Sequence, residues 1–350
     1  MVKYFHSILE VEVIQVFRSI IFAFLAVFLP QFSLAAINHG VLVLAPVITA
    51  TSGLPPEAVG LIGGLGGFGG LAQTTDPDDF LIREGMFNWM RKYEEMVDEF
   101  VDGIMVASEE FVAHLRTAGL KSPIYVTGLP YGKEEVRGRI DSNVPLHQRA
   151  NRVGFAARWD DEKQPHFYMD LAEAYYKIDP TVEFAIFCGH PELKSNDPEY
   201  VERAMALQDG NTANFKVYTG LKKDDYYNLL ADSKVLFNCA LQDWVSNTVS
   251  EADTFGTLTL YPAYRSFPEV FANNGKHLYV PWSLDDAIGK LTDMFEAIDT
   301  DDVSQYNIGK ISDYQDGTID RTLDAMLGTG EQLSRNDNLY RRHVARAKYE

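Results

Sequence analysis

The sequence predicts an α/β protein made of two doubly wound domains, each a mostly parallel sheet with helices on both faces. Two observations carry this prediction. Short apolar stretches alternate with longer stretches whose apolar residues recur at helical spacing, over residues 80–299. The chain has 350 residues, which is more than one ordinary core holds and suits two domains of ~100–200 residues each.

The predicted N-terminal domain covers residues 1–135, and its first 75 residues are irregular, apolar and rich in glycine. Within 19–36, the apolar run Ile20–Leu29 is shorter than the ~20 residues that span a bilayer. It is interpreted either as a signal or membrane anchor, or as a buried helix. The acidic residues Glu10 and Glu12 ahead of it favour the buried helix.

A predicted strand over 41–47 precedes a glycine-rich segment. In this segment Gly64, Gly66 and Gly69 match the pattern G-x-G-x-x-G, whose glycines let a backbone approach a diphosphate at the start of a helix. A dinucleotide-dependent oxidoreductase is therefore one alternative. The pattern lies well beyond the end of the strand, however, and a glycine-dense stretch matches it by chance, so a loop is favoured.

Regular alternation begins after residue 80. Residues 82–100 have helical periodicity, Gly103–Ala107 is a predicted strand, and Ser108 is the expected N-cap of a helix that stops near Gly119. The sequence PIYVTG gives another strand before the polar segment Lys133–Asn151, which is the predicted domain boundary.

The predicted C-terminal domain, residues 150–299, repeats the alternation completely, and residues 300–350 form a polar helical segment. Its predicted strands are Arg152–Ala157, Val182–Cys188, Phe215–Tyr218, Val235–Cys239, Thr257–Tyr261 and His277–Val280. Its predicted helices are Pro165–Lys177, Glu199–Leu207, Lys223–Ala231, Ser246–Thr254 and Leu284–Ile298. Ligands of such a domain bind at the carboxyl ends of the strands.

Charge and cysteine content exclude several classes of protein. The formal net charge of −19 repels phosphate backbones and argues against general binding of nucleic acid. The two cysteines, Cys188 and Cys239, lie in apolar runs and are expected to be reduced core thiols. Acidic pairs without histidine neighbours, such as Asp299 and Asp301, lead us to expect no metal.

Two loops at predicted strand ends carry candidate chemistry. Arg158 ends one strand and Lys163 precedes the next helix, so the two cations could clamp a diphosphate or could pair with nearby acids. Asp243 and Glu251 bracket a helix start, where they could hold sugar hydroxyls or serve as a cap and an ordinary helical residue. The backbone amides of 246–248 would face an anion there.

Together these segments resemble the retaining nucleotide-sugar glycosyltransferases of the GT-B fold, the large family with an E-x7-E element. The matching segments are Ala157-Arg158 through Lys163, Asp243 through Glu251-Ala252, Gly256-Thr257, Pro268-Glu269-Val270-Phe271, and Val106-Ala107-Ser108 through Leu115. In this chain the first acid of the E-x7-E element is aspartate. The resemblance implies two Rossmann-like domains.

The resemblance also implies roles for single residues. Arg158 and Lys163 would neutralise the departing diphosphate, and Asp243 would lie beside the transferred sugar. The residues implied to bind the donor are Glu251, Ser246, Asn247, Thr248 and Gly189.

The implied reaction moves a sugar from a nucleotide-sugar donor, which is a co-substrate and not a cofactor, so no cofactor is expected. The acceptor class is open among a glycan, a lipid, a protein and another hydroxyl compound. The expected location is cytoplasmic, with residues 19–36 as a route to membrane association. A degenerate transferase that binds nucleotide or sugar without turnover is the non-enzymatic alternative, because residues 1–75 lack the family's early motifs.

Overall fold

The computed structural model describes residues 41–42, 104–117, 120–129, 131–141, 143–241, 243 and 245–327. All of them belong to one unit of the chain, residues 39–350. The predictions for the apolar run, the glycine-rich segment and the helix over 82–100 lie outside the described residues. Within the described ranges, no helix combines the length and the apolar character that crossing a bilayer requires.

A small sheet holds the described part of the predicted N-terminal domain. Its strands are β1 (Val41–Leu42), β2 (Ile104–Val106) and β3 (Ile124–Val126), with β1 antiparallel and β3 parallel to β2. Helix α1 (Glu109–Thr117) connects β2 to β3. Ser108 caps it as predicted, because its Oγ accepts a hydrogen bond from the backbone N–H of Phe111 at 3.3 Å.

The predicted C-terminal domain is a six-stranded parallel sheet. The strands are β4 (Ala150–Phe155), β5 (Glu183–Phe187), β6 (Phe215–Tyr218), β7 (Ser233–Phe237), β8 (Leu258–Pro262) and β9 (Leu278–Tyr279). Their order in space is β6-β5-β4-β7-β8-β9, and neighbouring strands are parallel throughout. The order reverses at β4, which is where a doubly wound sheet opens a crevice for ligands.

Helices cover both faces of this sheet. They are α2 (Lys133–Arg137), α3 (Pro165–Tyr176), α4 (Pro198–Asp209), α5 (Lys223–Ala231), α6 (Asn247–Phe255), α7 (Phe267–Val270) and α8 (Leu284–Asp299). Alternate residues of one strand pack into different cores: Phe184 and Ile186 meet α3 and α8, whereas Ala185 and Phe187 meet α5 and α6. Both faces of the strands are therefore apolar, as in parallel sheets generally.

The polar segment Lys133–Asn151, which the sequence predicts as the domain boundary, contains a short helix. It begins with α2, whose Val136 is buried against α5 and α6 in the second of those cores. A single apolar residue, Val136, docks this five-residue helix. One apolar residue among charged neighbours shows no helical periodicity in the sequence, so the helix is not predicted.

The C-terminal segment packs back on the middle of the chain. Its helices α9 (Lys310–Asp316) and α10 (Thr318–Leu327) supply two side-chain hydrogen-bond acceptors for backbone N–H groups of residues 129–131. Gln315 Oε1 accepts a hydrogen bond from the backbone N–H of Leu129 at 3.0 Å, and Thr318 Oγ1 accepts one from Tyr131 N–H at 3.2 Å. These bonds join the segment to the connection between the two sheets.

Candidate active site

Lys163 is held at the carboxyl end of β4 by the turn that precedes α3. Residues Asp161–Lys163 form a single 3₁₀ turn, and Gln164 then adopts a left-handed φ of 51° before Pro165 opens α3. The residue before a proline avoids the right-handed helical region, which places this break in the chain. The turn is tied to β7 because the Gln164 side-chain amide donates to the carbonyl oxygen of Cys239.

Lys163 and Asp243 form a buried ion pair across the ends of β4 and β7. Nζ of Lys163 lies 2.5 Å from Oδ1 of Asp243, and the two side chains are 6% and 12% exposed. A buried charge needs a partner, so these two residues depend on one another. The structure thus brings Lys163 of the first loop together with Asp243 of the second.

Arg158, the other predicted cation, has different surroundings. Its side chain is 61% exposed and pairs with acids of its own loop, Asp160 at 3.3 Å and Glu162. This is the local pairing that the sequence left open as an alternative for both cations. Lys163 instead pairs with an acid of the other loop, at the carboxyl end of the sheet. A donor-binding role for Arg158 stays a prediction.

Glu251 projects from α6 into a cage of three hydrogen-bond donors. Lys223 Nζ lies 2.7 Å from Oε1, Tyr226 OH donates to Oε2 at 2.7 Å, and Tyr227 OH donates to Oε1 at 3.2 Å. Burial first, and then the charge of Glu251, raise the pKa of Tyr226 and Tyr227. Both phenols therefore stay protonated and keep donating to the carboxylate.

The cage residues are the part of the site that sequence reasoning missed, because they lie inside the predicted helix Lys223–Ala231 and belong to none of the matched segments. Lys223, Tyr226 and Tyr227 are spaced i, i+3 and i+4 on α5, so they share one side of the helix. A cation and two phenols on one helix face opposite a predicted acid were the available signal. The ammonium of Lys223 also lies 4.8 and 4.5 Å from the centres of the two rings.

The predicted anion-binding residues lie at the start of α6. Ser246 precedes the helix, and its Oγ lies 2.7 Å from Oγ1 of Thr248, which lies 3.0 Å from the hydroxyl of Tyr261 at the end of β8. Asn247 is the first residue of the helix. These residues therefore stand between the Lys163–Asp243 pair and Glu251 along the chain, at the carboxyl edge of the sheet.

Gly189 and the two cysteines complete the description of this edge. Gly189 follows β5 and Cys188, and a Cβ placed on it would lie 3.5 Å from the carbonyl oxygen of Leu221, an ordinary contact. Cys188 is half-buried, whereas Cys239 is buried. Burial raises the pKa of the Cys239 thiol.

The described residues contain no group of three or more His, Cys, Asp and Glu side chains placed to hold a metal ion. The expectation that the reaction needs no metal and no cofactor stays a prediction, because no observation on these residues tests it.

Known structures share this architecture at low sequence identity. A mutant of TarM from S. aureus in complex with fondaparinux, α-GlcNAc-glycerol and UDP has a TM-score of 0.55 at 15% identity, covering 74% of this chain and 49% of its own. HepE from Anabaena in complex with UDP gives 0.55 at 12% identity, covering 80% and 81%. A glycosyltransferase from Rickettsia africae gives 0.51 at 12%, covering 67% and 66%.

The chain spans about half the length of the TarM structures, 47% and 49% in the two that match. No protein-family profile and no curated protein matches its sequence. At these identities the likeness concerns the fold. The predicted fold class is confirmed: the chain has the α/β fold of GT-B glycosyltransferases.

Proposed function

We propose that this chain is a glycosyltransferase that moves a sugar from a nucleotide-sugar donor to a hydroxyl group of a glycan, with retention at the anomeric carbon. The observation that carries the proposal is the buried Lys163–Asp243 pair at the carboxyl edge of the parallel sheet. The GT-B fold supports the same reaction class, and TarM and HepE, which share that fold, are described in complex with UDP.

In this proposal the two acids of the second loop bind hydroxyl groups. An ionised carboxylate accepts up to about four hydrogen bonds, so Asp243 can keep Lys163 and still accept from the transferred sugar. Glu251 accepts from the ribose of the nucleotide. Its cage fixes the carboxylate, so little orientation entropy is lost when the donor binds.

Lys163 has the central electrostatic role. As the bond between the sugar and the phosphate oxygen breaks, negative charge grows on the released nucleotide, and the largely buried ammonium of Lys163 stabilises it. The new bond forms between the sugar and the acceptor oxygen on the same face of the ring, and the proton of the acceptor hydroxyl passes to the departing phosphate oxygen. Arg158 would add charge only after leaving Asp160 and Glu162.

The test is substitution of Lys163 with donor turnover as the readout. We expect Lys163→Ala to lower sugar release from the preferred UDP-, GDP- or ADP-sugar by about a hundredfold or more, because one electrostatic donor of this kind is worth that much. The exposed Lys177, at the far end of α3, supplies the matched control Lys177→Ala, which should leave turnover unchanged. Full turnover in Lys163→Ala would contradict the mechanism.

Since Lys163→Ala leaves Asp243 buried without its cation, folding is checked by the thermal shift that the donor nucleotide causes. A ligand at a hundred times its Kd stabilises the folded state by about 2.7 kcal/mol. A second variant, Lys163→Arg, keeps the charge and separates lost folding from lost chemistry.

A degenerate transferase that binds nucleotide without turnover is the second candidate. The observation that favours it is the position of Arg158, whose cation is taken up by acids of its own loop. Nucleotide-dependent stabilisation without any sugar release or transfer would select this candidate.

A further inference from the structure

Trp282 combines two unusual properties. Its side chain is 65% exposed, the largest exposed fraction among the large apolar residues of the described chain. Its backbone has a φ of +60°, in the left-handed region. It lies three residues beyond the end of β9.

The backbone geometry belongs to a tight turn, Val280–Ser283. The N–H of Ser283 donates to the carbonyl oxygen of Val280 at 3.0 Å, Pro281 is the second residue and Trp282 the third. The hydrogen bond and the left-handed φ are those of a type II turn, whose third position favours glycine. A residue with a Cβ is strained there.

Burial of the Trp282 side chain does not offset this backbone strain. Trp282 is largely open to solvent, and the neighbouring Val280 is 57% exposed. Glycine would suit the left-handed φ of the turn better, and its presence would remove no side chain from the hydrophobic core. Strained, exposed aromatic residues are explained when the side chain contacts a ligand, since that contact is absent from the free protein.

The surroundings of Trp282 indicate the chemistry of that ligand. The first turn of the next helix, α8, contains Asp285 and Asp286. Asp285 is exposed. Asp286 Oδ2 accepts a hydrogen bond from the backbone N–H of Val280 at 2.7 Å. An aromatic face packs against the C–H face of a sugar ring, and carboxylates accept from its hydroxyls. The same carboxylates and a net charge of −19 repel phosphate-rich ligands.

Trp282 also lies on the appropriate side of the sheet. Because β4 to β9 are parallel, the loop after β9 is at the same carboxyl edge as Lys163 and Asp243. It is two strands away from β7, whose end carries the Asp243 loop, so it does not belong to the donor site.

We propose that Trp282 and Asp285 form a subsite for a neutral hexopyranose unit of the acceptor glycan. That this glycan is an acceptor rests on the proposed function. Sugar binding at Trp282 can be measured independently of it.

The experiment titrates the full chain with neutral tetrasaccharides (maltotetraose, cellotetraose and chitotetraose) by calorimetry, with UDP as a separate ligand. We expect at least one tetrasaccharide to bind, Trp282→Ala to weaken it about tenfold or more, and Trp282→Tyr to weaken it less. UDP binding should be the same in all three proteins. A heparin tetrasaccharide, which is anionic, should not bind.

Three results would overturn the subsite: no binding of any neutral tetrasaccharide, equal affinity in Trp282→Ala, or preference for the anionic sugar. If UDP fails to bind while a tetrasaccharide still depends on Trp282, the donor assignment is wrong and the subsite stands.

The Tm of Trp282→Gly distinguishes a binding role of Trp282 from a structural one, because loss of a structural residue would lower the Tm. Since glycine relieves the turn, its Tm should be equal to or about 2–4 °C above that of the native chain, while tetrasaccharide binding is lost. A lower Tm would show that Trp282 serves the fold and would contradict the proposal.

Discussion

His277 is a buried side chain whose two ring nitrogens both have partners. Nε2 lies 2.7 Å from the carbonyl oxygen of Tyr306, and Nδ1 lies 2.9 Å from the carbonyl oxygen of Thr259 and 3.3 Å from its hydroxyl. A neutral ring carries one N–H and donates to only one of the two carbonyl oxygens. The ring stacks on Phe271, with centres 4.7 Å apart. Burial lowers the pKa of His277 below its ordinary value of 6.5.

This histidine makes stability dependent on pH. With a folded pKa below the unfolded value, the neutral form stabilises the fold fully above about pH 6.5, and this contribution is lost as the pH falls through the folded pKa. We expect His277→Gln to reduce the decline in the free energy of unfolding below pH 6.5, as measured by urea denaturation over a pH series. Parallel curves for the two proteins would contradict it.

At the residue scale, the sequence identifies candidates where charged residues follow apolar strands. Lys163, Asp243 and Glu251 are such candidates, and the structure pairs the first two, while the functional roles of all three stay predictions. The sequence does not decide which acid Lys223 or Arg158 pairs with, because several acids lie within reach of each long side chain.

At the scale of the element, the end of α6 is set by one glycine. Gly256 follows the helix with a φ of +74°, and the N–H of Thr257 donates back to the carbonyl oxygen of Ala252 at 2.9 Å. This closes the helix before β8 begins. A Cβ at Gly256 would meet only ordinary contacts, the nearer 3.5 Å away at Ile308. Backbone conformation, not space, therefore requires glycine.

Two glycines provide a matched pair of substitutions. Gly256→Ala should lower the free energy of unfolding by about 1 kcal/mol, because alanine is strained at this φ. Gly289→Ala, inside α8 with open space around it, should raise that free energy by about 0.5–1 kcal/mol through helix propensity. Urea denaturation measures both. Equal shifts of the same sign would refute the backbone explanation.

Helices and strands of the C-terminal half were predictable nearly to the residue. The helix Lys223–Ala231 and the strand Phe215–Tyr218 have the predicted bounds, because apolar period and flanking turn residues agree there. The strand predicted over Val235–Cys239 instead spans Ser233–Phe237. Its apolar run continues past the last ladder hydrogen bond into the loop that carries Asp243, where packing and not strand pairing keeps residues apolar.

At the scale of the whole molecule, the contact between the C-terminal segment and the link between the sheets depends on few groups. The side chain of Gln315 is buried, and its Oε1 receives the backbone N–H of Leu129, which is itself buried. Two further contacts join the start of α1 to α7: the hydroxyls of Ser108 and Ser266 lie 2.6 Å apart, and Glu269 accepts the N–H groups of Glu109 and Glu110.

Removing the Gln315 acceptor should therefore weaken the molecule as a unit. We expect Gln315→Ala to lower the free energy of unfolding by about 1–3 kcal/mol, because it leaves the Leu129 N–H buried without its acceptor. Gln305→Ala, at an exposed glutamine nearby, should change it by less than about 0.5 kcal/mol. Chemical denaturation of both variants is the measurement, and equal small effects would contradict the coupling.

Such long-range contacts were beyond sequence reasoning. Gln315 and Leu129 are 186 positions apart, and nothing in the local pattern of either segment distinguishes this glutamine from the exposed Gln305. The polar composition of residues 300–350 indicated a solvated helix, whereas the described part of it places Gln315 and Thr318 in the interior.

Because the two cysteines differ in burial, one of them can be labelled selectively in the native chain. Cys239 is enclosed beneath Lys163 with its thiol held protonated, so alkylating reagents will react slowly with it. Cys188, beside Gly189 at the rim of the crevice, is the accessible thiol of the pair. A maleimide dye added to the native chain will therefore label Cys188 at the carboxyl edge of the sheet without any engineered cysteine, and a change in its emission on adding nucleotide would report binding at that edge.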